Sequence, residues 1–163
     1  MLTYNALMGK EKKIAEILIK KGLTLAVAES CTGGFISSRI TDIPGSSQFF
    51  KGGIVAYSND VKMSSLDVPG ILIKEYGAVS SQVADVMAEK ARKTLGADVA
   101  VSITGIAGPL GGTKEKPVGL AYMTFSSREK TTSCKVMLKK DSRIKLKDRF
   151  ANAVFDLIID NMK

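Results

Sequence analysis

The chain has 163 residues, room for one domain with a real core and too little for two comfortable ones. Hydrophobic residues make up 45% and charged residues 25%, which argues against a disordered chain, and no apolar run approaches the ~20 residues that cross a bilayer. The net charge of +8 fits solvated faces and attraction of small anions; the aromatic platforms that accompany single-strand nucleic-acid binding are sparse.

Cys31 and Cys134 are the two cysteines and there is no histidine. That excludes a disulfide framework and a Cys/His metal cluster, so no metal and no cofactor is expected. It also removes the commonest general base, which leaves lysine, a carboxylate or tyrosine for any acyl-transfer chemistry. Met1 to Lys10 lacks the positive segment and apolar stretch of a secretory leader, so the expected compartment is the cytoplasm.

In chain order, Lys10 to Lys21 reads as an amphipathic helix, with Ile14, Ile17, Leu18 and the stem of Lys21 on one face and Gly22 as its stop. Leu23 to Ala28 is a buried strand, a helix is expected from Thr32 to Thr41, and Pro44-Gly45 marks a turn. Phe49 to Tyr57 reads as a strand in which Gly52-Gly53 permits a bulge or close approach, and Asn59 caps a short helix through Lys62 and Leu66. Ser80 caps a helix carrying Val83, Val86, Met87, Ala91 and Leu95, closed by Gly96. Val99 to Thr104 is a further buried strand, followed by a glycine-rich loop to Pro117 and strands Val118 to Phe125 and Thr131 to Leu138. A last helix from Ser142 to Asn161 presents Phe150, Ala153, Val154, Leu157 and Ile158. This alternation predicts a layered α/β domain with helices on both sheet faces, and the two consecutive final strands make one of them antiparallel.

Three segments carry candidate chemistry. Ala28-Glu29-Ser30-Cys31-Thr32-Gly33-Gly34 lies where a strand turns into a helix, a place that presents Ser30 as a nucleophile and the amides of Cys31 to Gly33 as oxyanion donors. The plainer alternative makes Ser30 or Thr32 a helix cap. Cys31 is a rival nucleophile, or simply a small buried thiol. In Gly52-Gly53-Ile54-Val55-Ala56-Tyr57-Ser58-Asn59-Asp60-Val61-Lys62, Tyr57 falls at the same sheet edge, and Lys62 in the next helix is either a base or an exposed lysine. Ser102 to Thr113 contains Gly105, Gly108, Gly111 and Gly112, whose backbone suits close approach to a ligand, although the pattern matches no standard phosphate loop.

These segments in this order, with Gly77-Ala78-Val79-Ser80 and Lys116-Pro117-Val118-Gly119, closely resemble the CinA C-terminal domain family from about Ile14 to Leu157. The resemblance implies an αβα sandwich with a mostly parallel, mixed central sheet. It implies a metal-free amidohydrolase that converts nicotinamide mononucleotide to nicotinic acid mononucleotide and ammonia. On matching positions it assigns Ser30 as nucleophile, Lys62 as base and Tyr57 as an assisting residue, with the roles of the last two exchangeable. Cys31, Thr32, Gly33, Gly105, Gly108, Gly111, Gly112 and Thr113 fall to substrate binding, and Arg143, Lys147 and Arg149 are candidates for a phosphate. The alternative is a non-catalytic nucleotide-binding or regulatory module, with a DNA-associated role resting on charge alone. Residues 1–163 are then one such domain without the molybdopterin-binding-like domain of larger CinA proteins. The expected partner is a small nucleotide substrate, with no nucleic acid and no membrane, in a homo-oligomer such as a dimer. Leu110 and Lys114 depart from the family's usual residues.

Overall fold

The computed structural model describes residues 9–163, so the reading of Met1 to Lys10 as a non-secretory start falls largely outside the described residues. Five strands form one sheet in the order β2-β1-β3-β4-β5: β1 (Leu25–Glu29), β2 (Phe50–Val55), β3 (Val99–Gly105), β4 (Leu120–Ser126) and β5 (Thr131–Met137). β2, β1 and β3 are parallel, and β4 pairs antiparallel with both β3 and β5, so β4 alone runs against the rest. The helices are α1 (Gly9–Lys21), α2 (Phe35–Thr41), α3 (Asn59–Leu66), α4 (Gly70–Tyr76), α5 (Ser81–Thr94) and α6 (Arg143–Asn161), with a 3₁₀ turn over Ser46–Gln48. No helix among the described residues is long and apolar enough to cross a membrane.

Strand alternation sorts the core into two layers. Leu25 and Val27 of β1 and Val99, Val101 and Ile103 of β3 point to one face, where α1, α2 and α6 bring Ile14, Leu18, Ile36, Ile40, Phe150, Val154 and Ile158. Phe49, Phe125, Phe150 and Phe155 are fully buried, and each favours the folded state by about 1.5–3 kcal/mol relative to exposure. On the other face β1 offers Ala26 and Ala28 and β3 offers Ala100, so α5, itself bearing Ala84, Ala88 and Ala91, lies close to the sheet. The approach is close enough for Ser102 Oγ to donate to the Ala84 carbonyl at 2.6 Å.

The structure shifts several expected boundaries. The helix expected from Thr32 begins at Phe35, because Gly33 (φ 60°) and Gly34 (φ 91°) adopt a left-handed conformation that breaks the helical path. Ser58, not Asn59, caps α3: its Oγ accepts from Val61 N at 3.2 Å. α4 was absent from the sequence reading, since Ile71, Leu72 and Ile73 are contiguous and show no helical period, and none of its residues is buried. The Lys21 stem is exposed instead of joining the apolar face of α1. Ser142 is the N-cap of α6, with Oγ accepting from Lys145 N.

The Gly52-Gly53 expectation holds at both residues. Gly52 has φ 146° at the register irregularity where Leu25 pairs with Phe50 and Ala26 with Gly52. Gly53 packs so closely against α2 that a Cβ there would meet Ser37 Oγ.

Candidate functional site

β1 lies between β2 and β3, and the chain leaves β1 toward β2 on one side and β3 toward β4 on the other, so the order reverses at the carboxyl ends of β1 and β3. Such a switch point opens a crevice above the strand ends. Ser30, immediately after β1, and Lys62, in the second turn of α3, meet in it: Lys62 Nζ donates to Ser30 Oγ at 3.0 Å. Lys62 is 2% exposed and Ser30 7%. The same nitrogen donates to the carbonyls of Ala56 at 2.9 Å and Tyr57 at 3.2 Å. Burial pulls the Lys62 pKa below its ordinary value, a shift opposed by the nearby Cys31. Burial pushes the Cys31 thiol up to about 12, against the pull of its own backbone N–H. Near neutrality Cys31 is therefore a thiol.

A cavity of about 280 Å³ opens beside the pair. Of the residues marked from sequence, Ser30, Cys31, Tyr57, Lys62, Gly105, Gly108, Gly111 and Arg143 line it. Arg143, the first residue of α6, donates from Nη1 to the Gly108 carbonyl and from Nη2 to the Tyr57 hydroxyl, both at 2.7 Å. The Tyr57 ring is exposed and faces Arg143, so its link to the Ser30–Lys62 pair runs through its backbone carbonyl. Gly105 has no room for a side chain, because a Cβ would meet Ala121 and the Leu120 carbonyl.

The other marked residues lie outside this lining. Thr32 is fully buried and donates its hydroxyl to Glu29 Oε2 at 2.7 Å, which commits it to the turn. Gly33 gives its N–H to the Ser30 carbonyl at 3.0 Å, so that amide does not face a ligand, and a Cβ built there would lie 3.8 Å from Lys147 Nζ. Lys147 sits over the Phe35 ring. Gly112 and Thr113 line an adjoining concavity with Pro117, Val118 and Lys140, which shares Leu110 and Gly111 with the cavity. Arg149 donates to the Lys139 carbonyl at 3.2 Å.

Asn59, Thr104, Ala78 and Val79 fall within segments singled out from the sequence but received no site role there; all four line the cavity. Thr104 Oγ1 donates to the Ala78 carbonyl at 2.8 Å, and Lys116 Nζ donates to the carbonyls of Tyr76 and Val79 at 2.5 and 2.8 Å. The glycine-rich loop and the Gly77 to Ser80 turn are thereby tied together, which gives the Lys116 to Gly119 element a structural task. Glu29 was also passed over as a functional residue; its carboxylate accepts five hydrogen bonds beneath the Ser30 turn. A larger concavity of about 550 Å³ lies at the opposite end of the strands, lined by Leu23, Val99, Phe125 and Lys130 among others, and holds none of the candidate site residues.

Fold and site together define a three-layer α/β domain with a buried serine–lysine pair at a strand-end crevice. The chain belongs to the CinA C-terminal domain family, whose model matches residues 8–162. It is 52% identical over 137 residues to a CinA-like protein of Dictyoglomus turgidum, covering 83% of this chain and 33% of that one. A CinA-like protein of Desulfotalea psychrophila is 54% identical over 114 residues, 70% of this chain and 28% of the relative. The chain thus spans about a third of the length of the curated relatives it matches. The crystal structure of the competence/damage inducible protein CihA from Agrobacterium tumefaciens superposes with a TM-score of 0.92 at 34% identity, covering 94% of each chain.

Proposed function

We propose that this domain is a nicotinamide mononucleotide deamidase, an amidohydrolase in which Ser30 is the nucleophile and Lys62 the general base. The observation that carries the reading is the contact of Lys62 Nζ with Ser30 Oγ inside a buried pair. A neutral amine has two N–H groups and one lone pair. With the two N–H groups given to the carbonyls of Ala56 and Tyr57, the lone pair is left for the serine proton. Desolvation favours that neutral form.

In the reaction, Ser30 Oγ bonds to the carboxamide carbon as its proton passes to Lys62. The oxyanion that forms is held by backbone N–H groups, with Cys31 the candidate donor since it follows Ser30 and lines the cavity. Lys62 then gives its proton to the amide nitrogen, the C–N bond breaks and ammonia leaves. Water adds to the Ser30 ester, Lys62 takes its proton and returns one to Ser30 Oγ, and the acid product departs. Every proton is passed by Lys62, so the chemistry runs without histidine or metal.

The cavity lining includes the cation Arg143 and no carboxylate among the described residues, a charge pattern that suits a phosphate-bearing substrate. Arg143 is assigned to that phosphate. The hydroxyl of Tyr57, held by Arg143 and not by Ser30 or Lys62, is assigned to substrate orientation. Incubation of the purified chain with nicotinamide mononucleotide, with ammonia and the acid product quantified together, tests the reading. Equimolar release supports it. Tight binding without turnover would favour a nucleotide-binding module instead.

A further inference from the structure

We propose that Glu29 is a positioning residue for the nucleophile, and that position 53 is glycine because Ser37 must reach the Glu29 carboxylate. The inference rests on the reading of Ser30 as nucleophile. Glu29 is fully buried at the end of β1. A carboxylate in such a place is tolerated only when dense hydrogen bonding compensates its lost hydration. Oε2 accepts from Thr32 Oγ1 at 2.7 Å, Gly34 N at 3.0 Å and Ile36 N at 3.1 Å, and Oε1 accepts from Ser37 N at 2.8 Å and Ser37 Oγ at 2.7 Å.

The arrangement takes over the work of a local helix cap. Gly34 occupies the N-cap of α2 with a left-handed backbone and no side-chain acceptor, so the first amides of the helix turn to a carboxylate borrowed from the sheet. Ser30 is enclosed in the resulting ring. Before it, the Glu29 backbone is fixed in the sheet, and its carbonyl accepts Ala56 N at 2.8 Å. After it, Thr32 is tied to the Glu29 side chain and Gly33 N to the Ser30 carbonyl, while Ser30 N donates to the Ile103 carbonyl at 3.1 Å. Ala56 in turn presents its carbonyl to Lys62 Nζ. Both halves of the pair are therefore referenced to Glu29.

Gly53 completes the device from the neighbouring strand. A Cβ at Gly53 would lie 2.2 Å from Ser37 Oγ and 3.3 Å from Ser37 Cβ. Alanine at position 53 would drive the hydroxyl off Glu29 Oε1.

The test uses Glu29→Gln, Ser37→Ala and Gly53→Ala in the full chain. The readouts are the rate of covalent labelling of Ser30 by an alkyl fluorophosphonate, kcat and KM for ammonia release from nicotinamide mononucleotide, and the thermal midpoint. Glu29→Gln puts an NH₂ where acceptors are needed, so labelling and kcat should both fall about tenfold or more, with KM changed by about twofold at most. Ser37→Ala and Gly53→Ala should show smaller losses of the same kind, and the double variant should be no slower than the worse single one, because both act on one contact. A lowered thermal midpoint with an unchanged labelling rate would overturn the proposal and leave Glu29 a plain helix tie. If Glu29→Gln does not fold, the other two variants decide by the same criterion. Labelling of Ser30 in the wild type without ammonia release would refute the amidase reading while the Glu29 assignment is still read from labelling; no labelling at all would overturn both.

Discussion

Lys62 does two things that an exposed lysine does not. It hides its nitrogen from water, and it spends its hydrogen bonds on two backbone carbonyls and a serine. Because burial lowers its pKa from the ordinary 10.5, and because the neutral amine is the proposed base, the rate should rise as pH climbs through the lowered value and level off above it. Stability follows the same sign. Between the lowered folded value and the ordinary unfolded one, the unfolded chain holds the extra proton, so stability increases with pH across that window. Lys62→Met should remove most of kcat while leaving substrate affinity nearly unchanged. Lys62→Arg should not restore it, since guanidinium keeps its proton. These are read from pH–rate profiles and ligand titrations; substantial turnover by folded Lys62→Arg would reduce Lys62 to a charge anchor.

At the scale of the element, Lys62 is only as well placed as α3. That helix has eight residues, an N-cap in Ser58, and Leu66 as its apolar anchor in the core beside Val68. Removing the cap with Ser58→Ala should cost about 1 kcal/mol of stability and lower kcat, because Lys62 lies one turn away. Thermal melts paired with kcat check this. An unchanged kcat in the destabilised protein would show that the Leu66 contact holds α3 unaided. β1 and β3 were legible in the sequence because both are buried on two faces and read as continuous apolar runs. α4 was not, since a seven-residue helix without a buried face leaves no period to detect. The Glu29 ring was invisible for another reason: Glu29, Ser37 and Gly53 come together only when β1, α2 and β2 pack, and a glutamate beside a serine carries no mark of burial.

For the molecule as a whole, the +8 net charge becomes specific where Arg143 lines the cavity. KM for nicotinamide mononucleotide should therefore rise with ionic strength. Arg143→Ala should raise it further, by about tenfold or more, while affecting nicotinamide riboside, which lacks the phosphate, far less. Comparison of the two substrates at low and high salt measures this. Equal effects on both would move Arg143 from phosphate binding to support of Tyr57 and the Gly108 loop.

In the proposed reaction, amide hydrolysis is carried by a serine held against a buried lysine. It is tested most directly by the initial rate of ammonia release from nicotinamide mononucleotide, measured in excess chelator for the wild type, Ser30→Ala and Cys31→Ala, each shown to be folded. Wild-type turnover should persist in chelator, fall by orders of magnitude in Ser30→Ala, and change only mildly in Cys31→Ala, whose thiol is held protonated. Near-wild-type release by Ser30→Ala, or its loss in Cys31→Ala alone, would contradict the account.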